Sequence, residues 1–306
     1  MSKSSETPVK RIRKPQIPLA TVYDESMQYE IGVDEAGRGP LFGRVYVSAV
    51  VLPKNGEFEH TWMKDSKKFT NKEKMRDVAN YIKTHSVAWH THFIEAAVID
   101  KINILQAVMM GMHECIRNVI DKLDRTNDDK KRIMLLIDGN YFTPHIVFDT
   151  DTETMREVPY ETIEGGDGKY TCIAAASILS KVAHDDYIAE LCVTYPELVA
   201  RYSLDTHVGY GTKKHLEGIQ THGITQWHRK SFGCCKTAKY APIQVQEPTV
   251  PCTNLPLPSE MFQKIENCNE TSQLRMLYSD NVEQIVNNSE VMRTFQSRLN
   301  ALRCNK

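Results

Sequence analysis

No apolar run in the chain approaches the roughly 20 residues that cross a membrane. The first twenty residues are polar and basic, without the apolar centre of a secretory leader, so neither a membrane-bound nor a secreted protein is expected. Cysteine is sparse: eight residues are spread over 306, and no Cys-x-x-Cys pair occurs. A disulfide scaffold is short and cysteine-dense, so reduced thiols inside a cell are the expectation. Cys234 and Cys235 are adjacent and have His222 and His228 nearby, a spacing that does not suit zinc. An excess of one charge is also missing, with 38 Lys+Arg against 39 Asp+Glu. The composition, 41% hydrophobic and 25% charged, is ordinary for a globular protein and excludes collagen, coiled coil and a wholly disordered chain.

Balanced totals do not exclude a polyanionic partner, because the distribution of charge decides that. Between Arg201 and Tyr240 seven bases face only Asp205 and Glu217, with four histidines in addition. Such a stretch suits a phosphate backbone, and equally a solvated surface. Residues 1–27 read as a basic flexible tail carrying the run Lys10-Arg11-Ile12-Arg13-Lys14. A nucleic-acid arm or nuclear-import signal is the alternative there, with a cytoplasmic location as the first expectation.

From Tyr29 onward strands and helices alternate. Tyr29–Val33 reads as a short strand ending at a Gly-rich turn. The run Val45–Leu52 is apolar almost throughout and stops at Pro53, as a strand buried on both faces does. Helical spacing follows over Asn71–Lys83, with Thr70 as the candidate cap, and over Ile102–Leu123. Val87–Ile94 alternates like a strand, and Ile133–Ile137 is a second buried strand. A hairpin or extended excursion is expected after Asp149, then a long helix over Tyr170–Leu191. Interleaved strands and helices predict an α/β domain over residues 28–236. Beyond it, five prolines from Pro242 to Pro258 mark a linker, and residues 237–306 read as linker plus a small helical extension.

Carboxylates stand where buried elements end. Asp34 and Glu35 close the first strand, before Gly37-Arg38-Gly39-Pro40, and Asp138 follows five apolar residues. Acids in such places are costly unless paired or metal-bound, and strand ends are where open α/β sheets bind ligands. The helix around Cys172–Val182 is apolar nearly all round, yet Ser177, Lys181 and Asp185 recur four residues apart. At about 100° per residue they drift only about 80°, forming one polar stripe that must face something wet, charged or metallic. Any one of these acids alone reads as a cap or surface residue; the four together do not. Oxygen donors without a Cys/His cluster suit Mg²⁺ or Mn²⁺, and carboxylates shared by two such ions serve attack of water on a phosphodiester. Neighbouring strand residues point to opposite faces, so Asp34 and Glu35 reach one site only if the strand twists or ends near Gly37.

The segment Gly32-Val33-Asp34-Glu35-Ala36-Gly37-Arg38-Gly39-Pro40-Leu41 resembles the opening motif of type 2 ribonuclease H, ribonuclease HII. The likeness continues through Asp65-Ser66-Lys67-Lys68, Leu136-Ile137-Asp138-Gly139-Asn140 and the Ile173–Leu179 run with Lys181 and Asp185. His207-Val208-Gly209-Tyr210-Gly211-Thr212 with His215, then His228-Arg229-Lys230-Ser231-Phe232, complete it. The resemblance implies a ribonuclease H-like mixed sheet flanked by helices, and an endonuclease acting on RNA–DNA hybrids and on ribonucleotides embedded in duplex DNA. It implies two divalent ions per site, Mg²⁺ or Mn²⁺, held by Asp34, Glu35, Asp138 and Asp185 as the catalytic set. Gly37, Arg38 and Gly39 match the loop that senses the ribose 2′-hydroxyl, where a bare backbone can approach a sugar. Tyr210 matches a tyrosine packed near the RNA–DNA junction; Lys67, Ser177 and Lys181 match positions that support phosphate contacts or the active-site network. A monomer whose partner is nucleic acid, with no membrane, is expected. The rival readings are a non-catalytic hybrid-binding homologue and a kinase-like ATPase, the latter requiring a second Gly-rich phosphate loop that the sequence does not contain. Arg44, Tyr46 and His184 depart from the family's usual residues.

Overall fold

The structure, a computed structural model, describes residues 18–56, 58–124, 132–149, 153–244 and 258–270, with a few positions beyond. The basic run at Lys10–Lys14 and much of the proline-rich linker lie outside the described residues. Two compact units are present, Met1–Ile243 and Gln244–Lys306. In the second, helix α7 (Pro258–Glu266) contributes Met261 and Ile265 to a small core with Cys268, Leu274 and Phe295.

In the first unit five strands form one mixed sheet: β1 (Tyr29–Ala36), β2 (Val45–Val51), β3 (Ala88–Ile94), β4 (Ile133–Asp138) and β7 (Tyr160–Ile163), in the order β3-β2-β1-β4-β7. The β1–β2 and β2–β3 pairs are antiparallel, whereas β1–β4 and β4–β7 are parallel. The two-stranded excursion expected after Asp149 is a hairpin of β5 (Ile146–Asp149) and β6 (Thr154–Glu157). Among the described residues the six cysteines are all free, and no helix is long and apolar enough to cross a membrane.

Helices cover both faces. Helix α2 (Ala96–Asp124) packs Val108, Met112, Ile116 and Val119 onto Ile31, Val33, Leu135 and Ile137. On the other face, α1 (Lys72–His85) and α3 (Thr171–Thr194) enclose Val50, Leu136, Ile173, Ala176 and Leu179. Odd positions of β1 therefore point to α2 and even ones to α3. At Gly32 the sheet comes so close to α3 that an added Cβ would sit 2.2 Å from the carbonyl carbon of Cys172. Only glycine permits that approach.

Three local expectations need correcting. β1 does not stop at Val33: its ladder with β2 runs on through Asp34↔Ser48, Glu35↔Val47 and Ala36↔Tyr46, so both acids lie inside a paired strand. The cap of α1 is Asn71, not Thr70, its Oδ1 accepting from the backbone N–H groups of Glu73 (2.8 Å) and Lys74 (3.1 Å). Helix α2 begins six residues earlier than its periodicity suggests and breaks at Asn103 (φ 66°, ψ 166°), whose side chain caps the second stretch through Gln106 N at 3.1 Å.

Short helices α4 (Pro196–Tyr202), α5 (Leu204–His207) and α6 (Lys213–His222) follow α3 and surround a third core of Phe42, Ile188, Leu198, Tyr202 and Ile219. This core reaches Ile243, which is stitched back by Gln226, its side chain bonding both the Ile243 carbonyl (2.9 Å) and its N–H (3.0 Å).

Candidate active site

Asp34 and Asp138 end up side by side because of sheet register. Val33 pairs with Ile137 across the parallel β1–β4 ladder, so the next residue on each strand is an aspartate turned toward α3. Adjacent strands lie about 4.8 Å apart. Asp34 is only 5% exposed, and its carboxyl is held well above the usual range, first by burial, then by the charges of Glu35 and Asp138. A hydrogen bond with Ser177 opposes that shift, which places the first residue of the α3 polar stripe at the site. Ser177 also meets Ser66 at 3.0 Å.

Glu35 follows the strand pleat to the other face, yet it is close enough to Asp138 to feel its charge. Burial raises the Glu35 carboxyl, with Arg38 opposing and Asp138 adding to the rise. Arg38 Nη1 donates to Glu35 Oε1 at 3.3 Å across the turn. Asp138 Oδ1 accepts from Gly166 N at 2.6 Å, tying the end of β4 to the turn after β7.

Asp185 is differently placed. Its Oδ1 accepts from Lys181 Nζ at 2.6 Å and contacts His184 Nδ1 at 3.0 Å. Burial would raise this carboxyl, but the two bonds outweigh it and its pKa is lowered. Thus Asp34, Glu35 and Asp138 interact as like charges, whereas Asp185 is engaged by two basic neighbours on its own helix. Among the described residues no group of three His, Cys, Asp or Glu side chains stands in an arrangement that holds a metal ion. By donor chemistry the neighbouring carboxylates of Asp34 and Asp138, with Glu35 close enough to feel their charge, nevertheless suit a hard divalent cation, which would relieve their desolvation and mutual repulsion.

Two further acids, which the sequence reading did not single out, border this cluster. Asp167 is 8% exposed and its carboxyl is raised by burial, then by Asp65 and Asp138. Asp65 caps the turn at Ser66–Lys68 through Lys67 N at 2.9 Å. Lys67 Nζ stands 4.0 Å from Asp167 Oδ2, and Asp34 and Asp138 also help hold its ammonium in the charged form. Its side chain is 83% exposed.

The glycine loop is held from beneath. Arg229, one of the bases in the stretch read as lining a phosphate backbone or forming a solvated surface, is instead completely buried. Its Nε donates to Gly43 O (2.9 Å), Nη1 to Arg38 O (3.0 Å) and Pro40 O (2.9 Å), and Nη2 to Gly37 O (2.6 Å) and Arg44 O (3.0 Å). Burial lowers this guanidinium to about 10, still charged at neutral pH. Two other bases of that stretch are spent in ion pairs, Arg201 with Glu197 and Lys213 with Glu217, while Lys214, Lys230, Lys236 and Lys239 remain exposed.

Gly37 takes a left-handed φ of 86°, and a Cβ there would fall 2.4 Å from His184 Cδ2 and 2.9 Å from Arg44 O. Gly37→Ala is expected to cost roughly 1–3 kcal/mol of stability from backbone strain alone. It should also weaken substrate turnover, because His184 would be pushed against Asp185; urea unfolding and steady-state kinetics check both effects. Tyr210 lies beside the loop, with Cε1 3.5 Å from where a Gly39 Cβ would be, and the residue is 46% exposed.

The departures have structural roles. Arg44 lies between the rings of Phe93 (3.8 Å) and Tyr187 (4.3 Å) and grips Glu95 at 2.6 and 3.0 Å, which anchors the loop's exit to the start of α2. Tyr46 packs edge-on to the buried His184 ring at 6.4 Å.

A family model described as ribonuclease HII matches residues 31–235. The chain is 42% identical over 212 residues to the ribonuclease HII of Parabacteroides distasonis, covering 69% of this chain and 92% of that protein. Against the ribonuclease HII of Oceanobacillus iheyensis it is 37% identical over 210 residues, 69% of this chain and 70% of the relative. In three dimensions it resembles the crystal structure of the ribonuclease H2 from Pyrococcus horikoshii, with a TM-score of 0.50 and 18% identity over 68% of this chain and 96% of that one, a likeness of fold. Sheet order, the strand-end acids and a match through nearly all of the first unit agree, and the chain belongs to the ribonuclease HII family, the endoribonucleases of the type 2 ribonuclease H class.

Proposed function

We propose that this endoribonuclease hydrolyses the RNA strand of RNA–DNA hybrids and also cleaves at ribonucleotides embedded in duplex DNA, leaving 5′-phosphate and 3′-hydroxyl ends. The observation that carries the reading is the pair Asp34, buried, and Asp138, half-buried, level on adjacent parallel strands next to the Gly37–Gly39 loop. Asp34, Glu35, Asp138 and Asp185 would hold two divalent cations, Mg²⁺ or Mn²⁺. Such ions supply a Lewis acid that polarises the phosphodiester and acidifies the attacking water.

This chain's own residues do the rest. Ser177 holds Asp34 by a hydrogen bond, and Gly166 N fixes the rotation of Asp138. Lys67, exposed and facing the acids, neutralises a phosphate oxygen as it arrives. Lys181 keeps Asp185 ionised and oriented. The Gly37-Arg38-Gly39 backbone offers close approach to a sugar edge, where the 2′-hydroxyl is what distinguishes RNA from DNA. The exposed Tyr210 ring gives the adjoining base pair an apolar face to pack on. We propose that the protein acts as a monomer in the cytoplasm; the matched curated relatives are bacterial, and the nuclear-import alternative for the basic run draws no support from them.

With Mg²⁺ and a DNA duplex carrying one ribonucleotide, the folded protein is expected to nick the ribonucleotide-bearing strand, and chelation by EDTA to stop it. Absence of incision on both this duplex and a long hybrid, with either ion, ends the proposal.

A further inference from the structure

Buried behind Tyr210 is a chain of hydrogen bonds that the chemistry above does not use. Thr225 N donates to His228 Nδ1 at 2.9 Å, and the Thr225 hydroxyl meets the same nitrogen at 2.9 Å. A backbone N–H can only donate, so His228 Nδ1 is an acceptor and carries no proton. The proton of the neutral ring is then on Nε2, which lies 3.2 Å from His215 Nε2. That nitrogen must accept, so the His215 proton sits on Nδ1, 2.9 Å from the carbonyl oxygen of Tyr210. One main-chain N–H therefore fixes both tautomers and the direction of every bond to Tyr210.

The surroundings keep this order static. His215 and His228 are 0% and 1% exposed. Burial pushes His228 down to about 3 and His215 down to about 4, so both rings stay neutral around pH 7. Phe42 meets His228 edge-on at 4.9 Å, Tyr202 does so at 4.9 Å, and His207 stacks on His215 at 5.1 Å. His207 Nε2 contacts the Tyr202 carbonyl at 2.8 Å.

The same segment also holds the glycine loop. Phe42 pairs with His228 in an isolated antiparallel bridge, Gly43 N donates to Trp227 O (2.8 Å), and Leu41 N donates to Gly209 O (2.9 Å). Beside His228, Arg229 grips the loop carbonyls. The two surfaces expected to meet a sugar and a base are thus referenced to one buried strut.

We propose that His215 and His228 are positioning residues whose fixed relay sets Tyr210 against the Gly37–Gly39 loop and thereby determines the preference for an RNA–DNA junction over continuous RNA. The proposal rests on the function given above, since it assigns Tyr210 to the junction. An asparagine side-chain amide nitrogen takes the place of imidazole Nδ1, whereas phenylalanine has no donor. His215→Phe is expected to reduce the ratio of kcat/KM on an embedded ribonucleotide to kcat/KM on a long hybrid by ~tenfold, and His215→Asn to keep most of it. In a Tyr210→Ala background, His215→Phe should change the ratio no further, because the relay acts only through that tyrosine.

Equal losses in folded Phe and Asn variants, or additive losses in the double variant, overturn the assignment. A separate reading comes from ring-nitrogen NMR of the full-length, substrate-free protein, which is expected to show the proton on His228 Nε2 and on His215 Nδ1. The reverse tautomers overturn the relay whether or not the enzyme cuts. If the wild type incises nothing while the tautomers are as stated, the functional reading fails and the relay geometry stands without its role in selectivity.

Discussion

Asp138→Asn is expected to lower incision by at least about a thousandfold, as loss of one preorganised electrostatic group in a phosphoryl-transfer site does. The fold should survive untouched. Asparagine keeps Oδ1 as the acceptor for Gly166 N, the bond that fixes this side chain among the described residues. What disappears is a negative charge that faces Asp34, Glu35 and Asp167, each of whose carboxyl groups is raised partly by Asp138. Relieving that repulsion should leave the protein as stable as before, or more stable by about 1 kcal/mol. Single-turnover incision and urea unfolding measured on the same preparation separate the two effects. Activity within tenfold of wild type would remove Asp138 from the chemistry; a large loss of stability would mean that its role is structural.

The second large effect is expected at Arg229→Lys, although this residue touches no substrate. Its guanidinium donates to five carbonyl oxygens spread over Gly37–Arg44. A lysine ammonium has three donors from a single atom and cannot span that fork, so at least two buried carbonyls lose their partner. At about 1–3 kcal/mol for each orphaned group, the expected loss is roughly 2–6 kcal/mol. The loop should also loosen, raising KM and lowering kcat together, since a displacement of about 1 Å at a positioning element can cost a hundredfold. Chemical denaturation and kinetics on the ribonucleotide-containing duplex check this. A variant with wild-type stability and turnover would show that the loop holds itself.

Much of the architecture was legible because burial writes itself into side-chain type. The apolar run at Val45–Val51 is a strand buried at every position, and the polar stripe of α3 stands out because the rest of that helix is apolar. Ser177 does contact Asp34, as an exposed surface serine would not. What stayed hidden depends on main-chain partners, which no side-chain pattern encodes. Arg229 read as a surface cation because arginine usually is one, and nothing in its neighbours announces five carbonyls waiting beneath a loop far away in sequence. The helix read over Ile102–Leu123 is essentially the stretch after the break at Asn103, and the turns from Ala96 that precede the break were missed. Asp65 was legible only as part of a motif and Asp167 not at all as a site residue, because their mutual closeness joins segments about a hundred residues apart. The strand-face problem posed by Asp34 and Glu35 had a geometric answer: the strand continues, and Glu35 reaches Asp138 from the opposite pleat.

The Arg229 grip also has a consequence for the moment at which the enzyme becomes competent. Its furthest bond joins residues 192 positions apart, so a growing polypeptide contains all four acids before the brace for its glycine loop is synthesised. Domains tend to form as units during translation, and contacts this distant in sequence form late. A chain cut short after Asp185 would carry the acids without the framework that directs them, and nuclease activity is gained only once the last part of the first unit has emerged.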